Sequence, residues 1–138
     1  MVTAIDAVSK AWARQALTGH DVHVAGSVWL HLQFNSGISF SINQSGPLVT
    51  TLITVLIALG VLVVGLRASF GLPTYGFGLL IGGGVANVID RLAASPHEVT
   101  DFIALGGMPV FNLADAAITS GFIILFVCAV RGERLLTK

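Results

Sequence analysis

Residues 48–66 of the sequence read LVTTLITVLIALGVLVVGL and contain no charged side chain. As an α-helix, a run of this length reaches about 30 Å, which is the thickness of the hydrocarbon core of a bilayer. Arg67 follows it directly. The stretch therefore predicts a membrane-spanning helix, and it places the chain among integral membrane proteins.

Two further runs have the length and composition of membrane helices. Residues 70–90 carry no charge before their last position, and residues 113–130 carry one near their start. Glycine is frequent in the first of these runs, which a membrane helix tolerates because its backbone groups stay hydrogen bonded within the helix. The spacing Gly78-x-x-x-Gly82, continued by two more glycines, predicts the close approach of a neighbouring helix.

The composition supports a membrane protein of one structural unit, a single membrane-embedded domain over residues 1–138. Charged residues make up 10% of the chain, whereas soluble domains average about 25%, and the mean hydropathy is +0.88. The net charge is zero and the basic residues form no patch that could follow a phosphate backbone, so nucleic acid is not an expected partner. The single cysteine, Cys128, lies in an apolar run and predicts neither a disulfide nor a metal site.

The N-terminal residues predict a helix that does not span the membrane. Residues 2–17 place Asp6, Lys10 and Arg14 four apart, which aligns them on one helix face. The segment is too short and too charged to cross a bilayer alone. No basic segment followed by an apolar core precedes it, so no signal peptide is expected. The predicted fold class is an all-α membrane bundle of four helices, the first of them truncated.

A small β-sheet is expected between the first helix and the first span. Residues 22–42 are rich in β-branched and aromatic residues, and Leu30, Leu32 and Phe34 alternate with polar neighbours. This alternation is typical of a strand with one buried face. We interpret the segment as an extracytoplasmic sheet that packs at the membrane surface.

Basic residues predict the orientation of the chain. Arg67 follows the first span, and a second basic cluster, residues 131–138, follows the last. If three spans alternate in direction, both groups lie on the same side, which the positive-inside rule makes cytoplasmic. The C-terminus is therefore predicted to be cytoplasmic, and residues 18–47 and 91–112 are predicted to be extracytoplasmic.

Three aspartates, Asp90, Asp101 and Asp115, lie at the outer ends of the predicted spans or in the loop that joins them, so they could meet in space. A carboxylate at membrane depth costs about 2.5–3.5 kcal/mol on insertion scales, so such residues are kept for pairing or for function. Asp90 precedes Arg91, which suits a structural ion pair. Asp115 follows Asn112 by three residues, which fits a helix capping box as well as a functional role. Asp101 has no neighbouring cation and no capping role.

Asp101 and Asp115 are therefore a candidate catalytic pair. Two carboxylates that share a site do not ionise together easily, so one keeps a proton while the other is charged. Such a pair can activate a water molecule for attack on an amide and can protonate the leaving nitrogen. The reaction needs no metal and no covalent intermediate, and the proton belongs to the pair.

Other chemistries fit the sequence less well. His20, Asp21, His23 and His31 lack the spacing of a helical metal site and lie in a loop and a strand-like segment. The serines lack a G-x-S-x-G elbow. The glycines at 82–84 are not followed by the Lys-Ser or Lys-Thr of a phosphate-binding loop. No metal or other cofactor is expected.

Four blocks of the sequence resemble the lipoprotein signal peptidases (signal peptidase II), a family of aspartic intramembrane proteases of bacteria. The last two blocks are the specific ones. In the family's order, the blocks are IDAVSK (5–10), FNSGISFSI (34–42), GGGVANVIDR (82–91), and VTDFI with FNLADAAI (99–103 and 111–118).

The resemblance implies a site as well as a fold. It makes Asp101 and Asp115 the catalytic aspartates, the same two residues that the charge pattern isolates. It also implies a polar shell that orients this pair and the substrate backbone, formed by Asn35, Asn87, Asp90, Arg91 and Asn112.

The implied activity is removal of the signal peptide from a diacylglyceryl-modified prolipoprotein, with cleavage just before the lipid-modified cysteine. The implied location is the bacterial cytoplasmic membrane, with the active site towards the outer leaflet. The partners are the substrate and membrane lipids. Residues 22–42 would form a rim against which an extended signal peptide lies.

The sequence departs from the family's pattern at three places. The family's first helix normally spans the membrane before its Asp-x-x-x-Lys block, which begins here at Asp6, so either the true start lies upstream of Met1 or the form is shortened. Ile38 and Ser39 stand where the family usually has small residues, and the spacing from 101 to 115 is short.

An alternative of another class is a non-catalytic small multi-pass membrane protein whose aspartates only cap helices and form ion pairs. That account explains Asn112 but gives Asn35 no role. An intramembrane aspartic protease of the presenilin type is disfavoured because its Gly-x-Gly-Asp motif is absent.

Overall fold

The computed structural model describes residues 1–37, 46–94 and 97–137. Within them the chain is mostly helical, with a small antiparallel sheet. The last part of the predicted strand-like segment, including Ile38 and Ser39, lies outside the described residues. The elements in chain order are α1 (Val2–Ala16), β1 (Val22–Ala25), β2 (Val28–Asn35), α2 (Gly46–Gly65), α3 (Leu72–Ala93), β3 (Val99–Leu105) and α4 (Leu113–Val130).

Three of the helices, α2, α3 and α4, are long and apolar enough to cross a membrane. The predicted spans are confirmed, and their ends differ from the prediction by no more than three residues. The central helix is α3, because it packs against each of the other three helices. The predicted charge alignment on α1 is also confirmed. That charged face turns into the protein, where Asp6 and Lys10 are each 1% exposed, while Val8 on the opposite face is 71% exposed.

Glycines bring α3 and α4 into backbone contact. A Cβ atom on Gly83 would lie 2.5 Å from the carbonyl oxygen of Ala114, and one on Gly121 would lie 2.6 Å from that of Gly76. The prediction of close helix approach is therefore correct, but the predicted spacing is wrong at one position. A Cβ on Gly78 would meet no atom of the described residues within 4 Å. At about 100° per residue, Gly78 points away from the face of α3 that carries Gly83 and contacts α4.

The sheet has the strand order β1-β2-β3, with both pairs antiparallel. The sequence pattern predicts the first two strands but assigns residues 99–105 to a loop. This strand is short, it contains Asp101, and its pairing partner β2 is about 70 residues distant in sequence, so no local hairpin signal marks it. The sheet and the end of α1 enclose a small apolar core, formed by Ala13, Leu17 and Phe102.

A β-bulge shifts the pairing of β2 with β3 between Leu30 and Gln33. Leu30 pairs with Ile103, and Gln33 pairs with Asp101, so three steps along β2 match two steps along β3. Because successive side chains of a strand point to opposite faces, one extra residue exchanges the two faces of β2 beyond the bulge.

The bulge decides which residues of β2 face the interior. Leu30 and Leu32 pack against the small core, as predicted. Phe34, which the alternation also predicts to be buried, is 54% exposed. Asn35 lies instead on the face of Asp101 and donates a hydrogen bond to it. A strand without the bulge would turn Asn35 to the opposite face.

The two ends of the helices differ in what they carry. The sheet lies at the end where α3 finishes and α4 begins. At the other end, the loop between α2 and α3 meets the C-terminal segment, since the backbone amide of Ser69 donates to the carbonyl of Leu135 and that of Thr137 donates to Arg67. Arg67 and the basic C-terminal residues therefore share the end opposite the sheet.

Candidate active site

Helix α4 begins with a complete capping box. The side chain of Asn112 accepts a hydrogen bond from the backbone N–H of Asp115 at 2.9 Å, and the Asp115 Oδ2 accepts one from the backbone N–H of Asn112 at 3.1 Å. The capping interpretation of Asp115 is therefore confirmed. It does not exhaust the hydrogen-bonding capacity of either side chain.

The remaining atoms of Asn112 connect the two aspartates. Its Nδ2 donates to Asp101 Oδ1 at 2.7 Å and to Asn87 Oδ1 at 3.2 Å, and its side chain is fully buried. The other carboxyl oxygen of Asp101 accepts from Asn35 Nδ2 at 3.0 Å. Asp115 Oδ1 accepts from Asn87 Nδ2 at 2.8 Å. Elements β2, β3, α3 and α4 thus each contribute to one hydrogen-bonded network.

The network places Asp101 in an environment that disfavours its charge. Burial is the main cause that raises the pKa of Asp101 from 3.8 to about 6, and repulsion by Asp115 adds to it, while hydrogen bonds from Asn35 and Asn112 and attraction to Lys10 act in the opposite direction. Asp101 is 1% exposed. Asp101 therefore keeps its proton up to a higher pH than an ordinary aspartate, as a member of an acid–base pair requires.

Asp90 does not form the ion pair predicted from its neighbour Arg91. Its carboxylate lies 2.8 Å from Arg14 and 3.4 Å from Lys10, and it accepts a hydrogen bond from the backbone N–H of Thr100. Adjacent residues of a helix point about 100° apart, so Arg91 faces elsewhere. Asp90 thereby joins α1, α3 and β3 at the edge of the network.

Arg91 lies beside the network. It is 8% exposed, and its guanidinium interacts electrostatically with Asp101, Asp115 and Asp90. Its buried Nε has no hydrogen-bond partner among residues 1–37, 46–94 and 97–137. All seven predicted site residues therefore lie in or next to one polar cluster.

Two further members of the cluster were not among the predicted site residues. Lys10 Nζ lies 2.6 Å from Asp6 Oδ2 and donates to Asn87 Oδ1 at 3.0 Å. Asp6 Oδ1 accepts from the backbone N–H of Ala114 in the first turn of α4. The signal that could have found them was their regular spacing on a helix whose other face is apolar.

A cavity of about 570 Å³ opens next to Asp115 and Asn35. Its walls include apolar residues of the segment before α4, such as Met108 and Phe111, and polar positions one turn further along α4, Thr119 and Ser120. The cavity therefore borders the network at Asp115 and Asn35.

The histidines considered as metal ligands lie elsewhere, at the outer edge of the sheet. His31 Nδ1 is 2.7 Å from Asp21, and His23 Nε2 is 3.0 Å from the carbonyl oxygen of Gly26. His20 contacts the carbonyl oxygen of Thr18. These contacts hold the loops between α1, β1 and β2.

Fold and site together define an integral membrane protein with a buried ionisable network at one end of its helices. The family model of signal peptidase (SPase) II matches residues 1–131. A lipoprotein signal peptidase of Mycobacterium leprae is 33% identical over 138 residues, which are 96% of this chain and 69% of the relative. One of Mycolicibacterium smegmatis is 34% identical over 138 residues, covering 96% of this chain and 59% of the relative.

A solved structure of a bacterial membrane enzyme superposes with a TM-score of 0.81 at 25% identity, and the match covers 93% of this chain and 86% of that one. The chain belongs to the signal peptidase II family, the lipoprotein signal peptidases. The resemblance found in the four sequence blocks is thereby confirmed. The chain spans 69% and 59% of the lengths of the two mycobacterial relatives.

Proposed function

We propose that this chain is an aspartic endopeptidase that removes the signal peptide of lipid-modified prolipoproteins, cutting before the diacylglyceryl cysteine. Membership of the signal peptidase II family supports the substrate class. Asp101 and Asp115 form the catalytic pair. The supporting residues are Asn35, Asn87, Asp90, Arg91 and Asn112.

The observation that carries this proposal is the double role of Asn112. One fully buried side chain donates to Asp101 and accepts from the backbone of Asp115. The two carboxyl groups, which come from different elements, are thereby held around one small amide. A helix cap alone would need only the second of these bonds.

The chemistry follows from one proton shared by the pair. The ionised carboxylate takes a proton from a water molecule as the water oxygen attacks the scissile carbonyl carbon, and the protonated carboxyl stabilises the carbonyl oxygen. The C–N bond then breaks as a proton passes to the leaving nitrogen. The products are a carboxylic acid and an amine, and the pair returns to its singly protonated state.

The position of the site suits a substrate anchored in lipid. The network lies at the sheet end of the helices, and the cavity beside Asp115 opens there. Acyl chains on the substrate cysteine stay in the bilayer, so they fix the depth at which the scissile bond is presented. We place this end at the outer leaflet of the bacterial cytoplasmic membrane, because the basic end with Arg67 is expected to be cytoplasmic.

The test is replacement of each aspartate by asparagine in a cell that lacks its own enzyme. Asp101→Asn and Asp115→Asn are each expected to reduce processing of a diacylglyceryl-modified prolipoprotein by at least about 100-fold, because each removes the acid or the base. Asp21→Asn is the matched control, since this aspartate lies just before β1, away from the network, and its side chain is 53% exposed. Equal amounts of each variant in the membrane are a condition of the comparison. Processing by either active-site variant at the control rate would remove that residue from catalysis.

The alternative is a non-catalytic membrane protein in which the aspartates only cap and pair. The capping box of Asn112 and Asp115 favours it, as does the pairing of Asp90 with Arg14. It does not account for Asn35, whose amide reaches across from β2 to a carboxylate that takes no part in a cap.

A further inference from the structure

We infer that Lys10 is a positioning residue: through the amide of Asn87 it directs a hydrogen-bond donor onto Asp115 and so holds this carboxyl group in the orientation in which it acts on the water molecule. This inference rests on the proposed function. It assigns a role to a residue of α1 that touches neither aspartate of the pair.

The first step is the burial of the lysine. Its side chain is 1% exposed, and its ammonium contacts Asp6 Oδ2 at 2.6 Å, Asn87 Oδ1 at 3.0 Å and Asp90 Oδ2 at 3.4 Å. An ammonium group has three donors and no acceptor. All three contacts are to oxygen atoms, so the group is satisfied and its orientation is fixed.

The second step is the direction that this imposes on Asn87. An amide can present either its oxygen or its nitrogen to a neighbour, and the choice depends on the surrounding groups. Beside a cation that only donates, the oxygen must face Lys10, and the Nδ2 of Asn112 donates to the same oxygen. The nitrogen of Asn87 is left facing Asp115, where it donates at 2.8 Å.

The third step concerns Asp115 itself. Both of its oxygens accept N–H donors, Oδ1 from Asn87 and Oδ2 from the backbone of Asn112. These two donors fix the orientation of the carboxyl group. If the amide of Asn87 were turned over, its oxygen would face Oδ1, and Asp115 would lose the donor on that side.

Within the described residues, three elements supply the charged groups of the network. Helix α1 supplies Asp6 and Lys10, helix α3 supplies Asp90 and Arg91, and strand β3 supplies Asp101. Asp6 and Asp90 contact the ammonium directly, so their charges are largely compensated by it and by Arg14.

The experiment compares two variants that both lack the carboxylate of Asp6. Removing the lysine alone would leave Asp6 buried without its cation and could prevent folding. The pair to compare is therefore Asp6→Asn with the double variant Asp6→Asn/Lys10→Met. They differ only in the ammonium. Arg14→Met is the matched control, because Arg14 is a cation on the same helix face that binds Asp90 but not Asn87.

Purified variants in detergent are assayed with a diacylglyceryl-modified prolipoprotein. Relative to Asp6→Asn, the double variant is expected to lose about 10- to 100-fold in kcat with KM unchanged within about twofold, as for loss of an outer-shell partner. Arg14→Met does not show this loss, and Lys10→Arg keeps most of the original kcat because the donor-only cation is retained.

Two results would overturn the inference. One is a double variant whose kcat equals that of Asp6→Asn, or whose activity falls only in proportion to a measured loss of folded protein. The other is a folded Lys10→Arg variant whose kcat falls as far as that of the double variant. Failure of the proposed function is a separate outcome, recognised by normal processing in Asp101→Asn or Asp115→Asn.

Discussion

Helix α2 and the helix pair α3–α4 cross the same membrane under different constraints. Only 6% of the spanning residues of α2 are buried within the protein, against 39% of those of α3. Helix α2 lays apolar side chains on α3 and turns most of its surface to lipid, whereas α3 and α4 touch backbone to backbone at Gly83 and Gly121. A helix that faces lipid needs only apolar side chains, but the α3–α4 pair, which holds the site, also needs a defined distance between its two helix backbones.

The contact at Gly83 shows why that distance matters. It presses α3 against Ala114, the residue that follows Leu113 at the start of α4 and precedes Asp115 in the capping box. One turn along α3, Asn87 donates to Asp115. The packing of α3 against α4 and the geometry of the network are therefore set at the same place. Substitutions there and in α2 test whether tight packing matters more in the α3–α4 pair than in α2.

The largest effect is expected from Asn112→Ser. Serine is as good an N-cap as asparagine, so α4 should keep its start, but the donors to Asp101 and Asn87 are lost. We expect peptidase activity to fall by about 100- to 1000-fold, as for loss of an oriented donor at a reacting centre. Thermal unfolding in detergent checks that the fold is kept. Activity close to wild type would mean that Asn112 is only a cap.

Gly83→Ala is expected to act on activity almost as strongly. The added methyl group meets a backbone oxygen that cannot turn away, so α3 and the first turn of α4 must separate. Overpacking costs about 1–3 kcal/mol, and a displacement near 1 Å at a catalytic group costs about 100-fold in rate. Gly78→Ala is the matched control, since no atom of the part of the chain that the structure describes lies within 4 Å of the new methyl group. If both alanine variants have the same peptidase activity, the close contact at Gly83 does not affect catalysis.

The pH dependence of stability tests the environment of Asp101. Its pKa in the folded protein is raised from 3.8 to about 6, mainly by burial, so the folded state binds this proton more tightly than the unfolded state. The contribution of Asp101 to the free energy of unfolding should be highest below about pH 4 and should fall as the pH rises to about 6, by at most about 3 kcal/mol. Asp101→Asn should remove that part of the slope. The measurement is thermal or denaturant unfolding in detergent at a series of pH values. An unchanged slope in the variant would contradict the assignment.

The smallest effect is expected in α2. Leu56 is 67% exposed and faces lipid, so Leu56→Ala should change the free energy of unfolding by less than about 0.5 kcal/mol. The same substitution at Leu80 of α3, which is 7% exposed and lies against Gly121, should cost about 2–5 kcal/mol. Comparable losses at both positions would mean that α2 is packed more tightly than its contacts indicate.

The parts of the fold that hydropathy controls were predictable. The spans follow from uncharged runs of sufficient length, and α1 follows from the spacing of its charges. The strand β3 was not predicted, because a short strand paired with a remote segment carries no local signal. The burial of the charged face of α1 was also outside reach, since its partners Asn87, Asp90 and Ala114 belong to α3 and α4.

In the candidate site, too, features with a local sequence signal were predictable, and features that depend on contacts between distant elements were not. Asp101 and Asp115 stood out because isolated carboxylates beside membrane spans need a reason. The capping box was readable from the spacing of Asn112 and Asp115. The pairing of Asp90 with Arg91 was wrong, because sequence neighbours on a helix do not face each other and the true partner lies on another helix.

Because of the extra residue in β2, the hydrogen bond from Asn35 to Asp101 depends on the number of residues in this strand. Deleting one residue between Leu30 and Asn35 would leave the composition of the strand almost unchanged and would still rotate the amide at its end away from Asp101. When related chains are aligned, a gap at this position would therefore mark a greater functional difference than several substitutions within the strand.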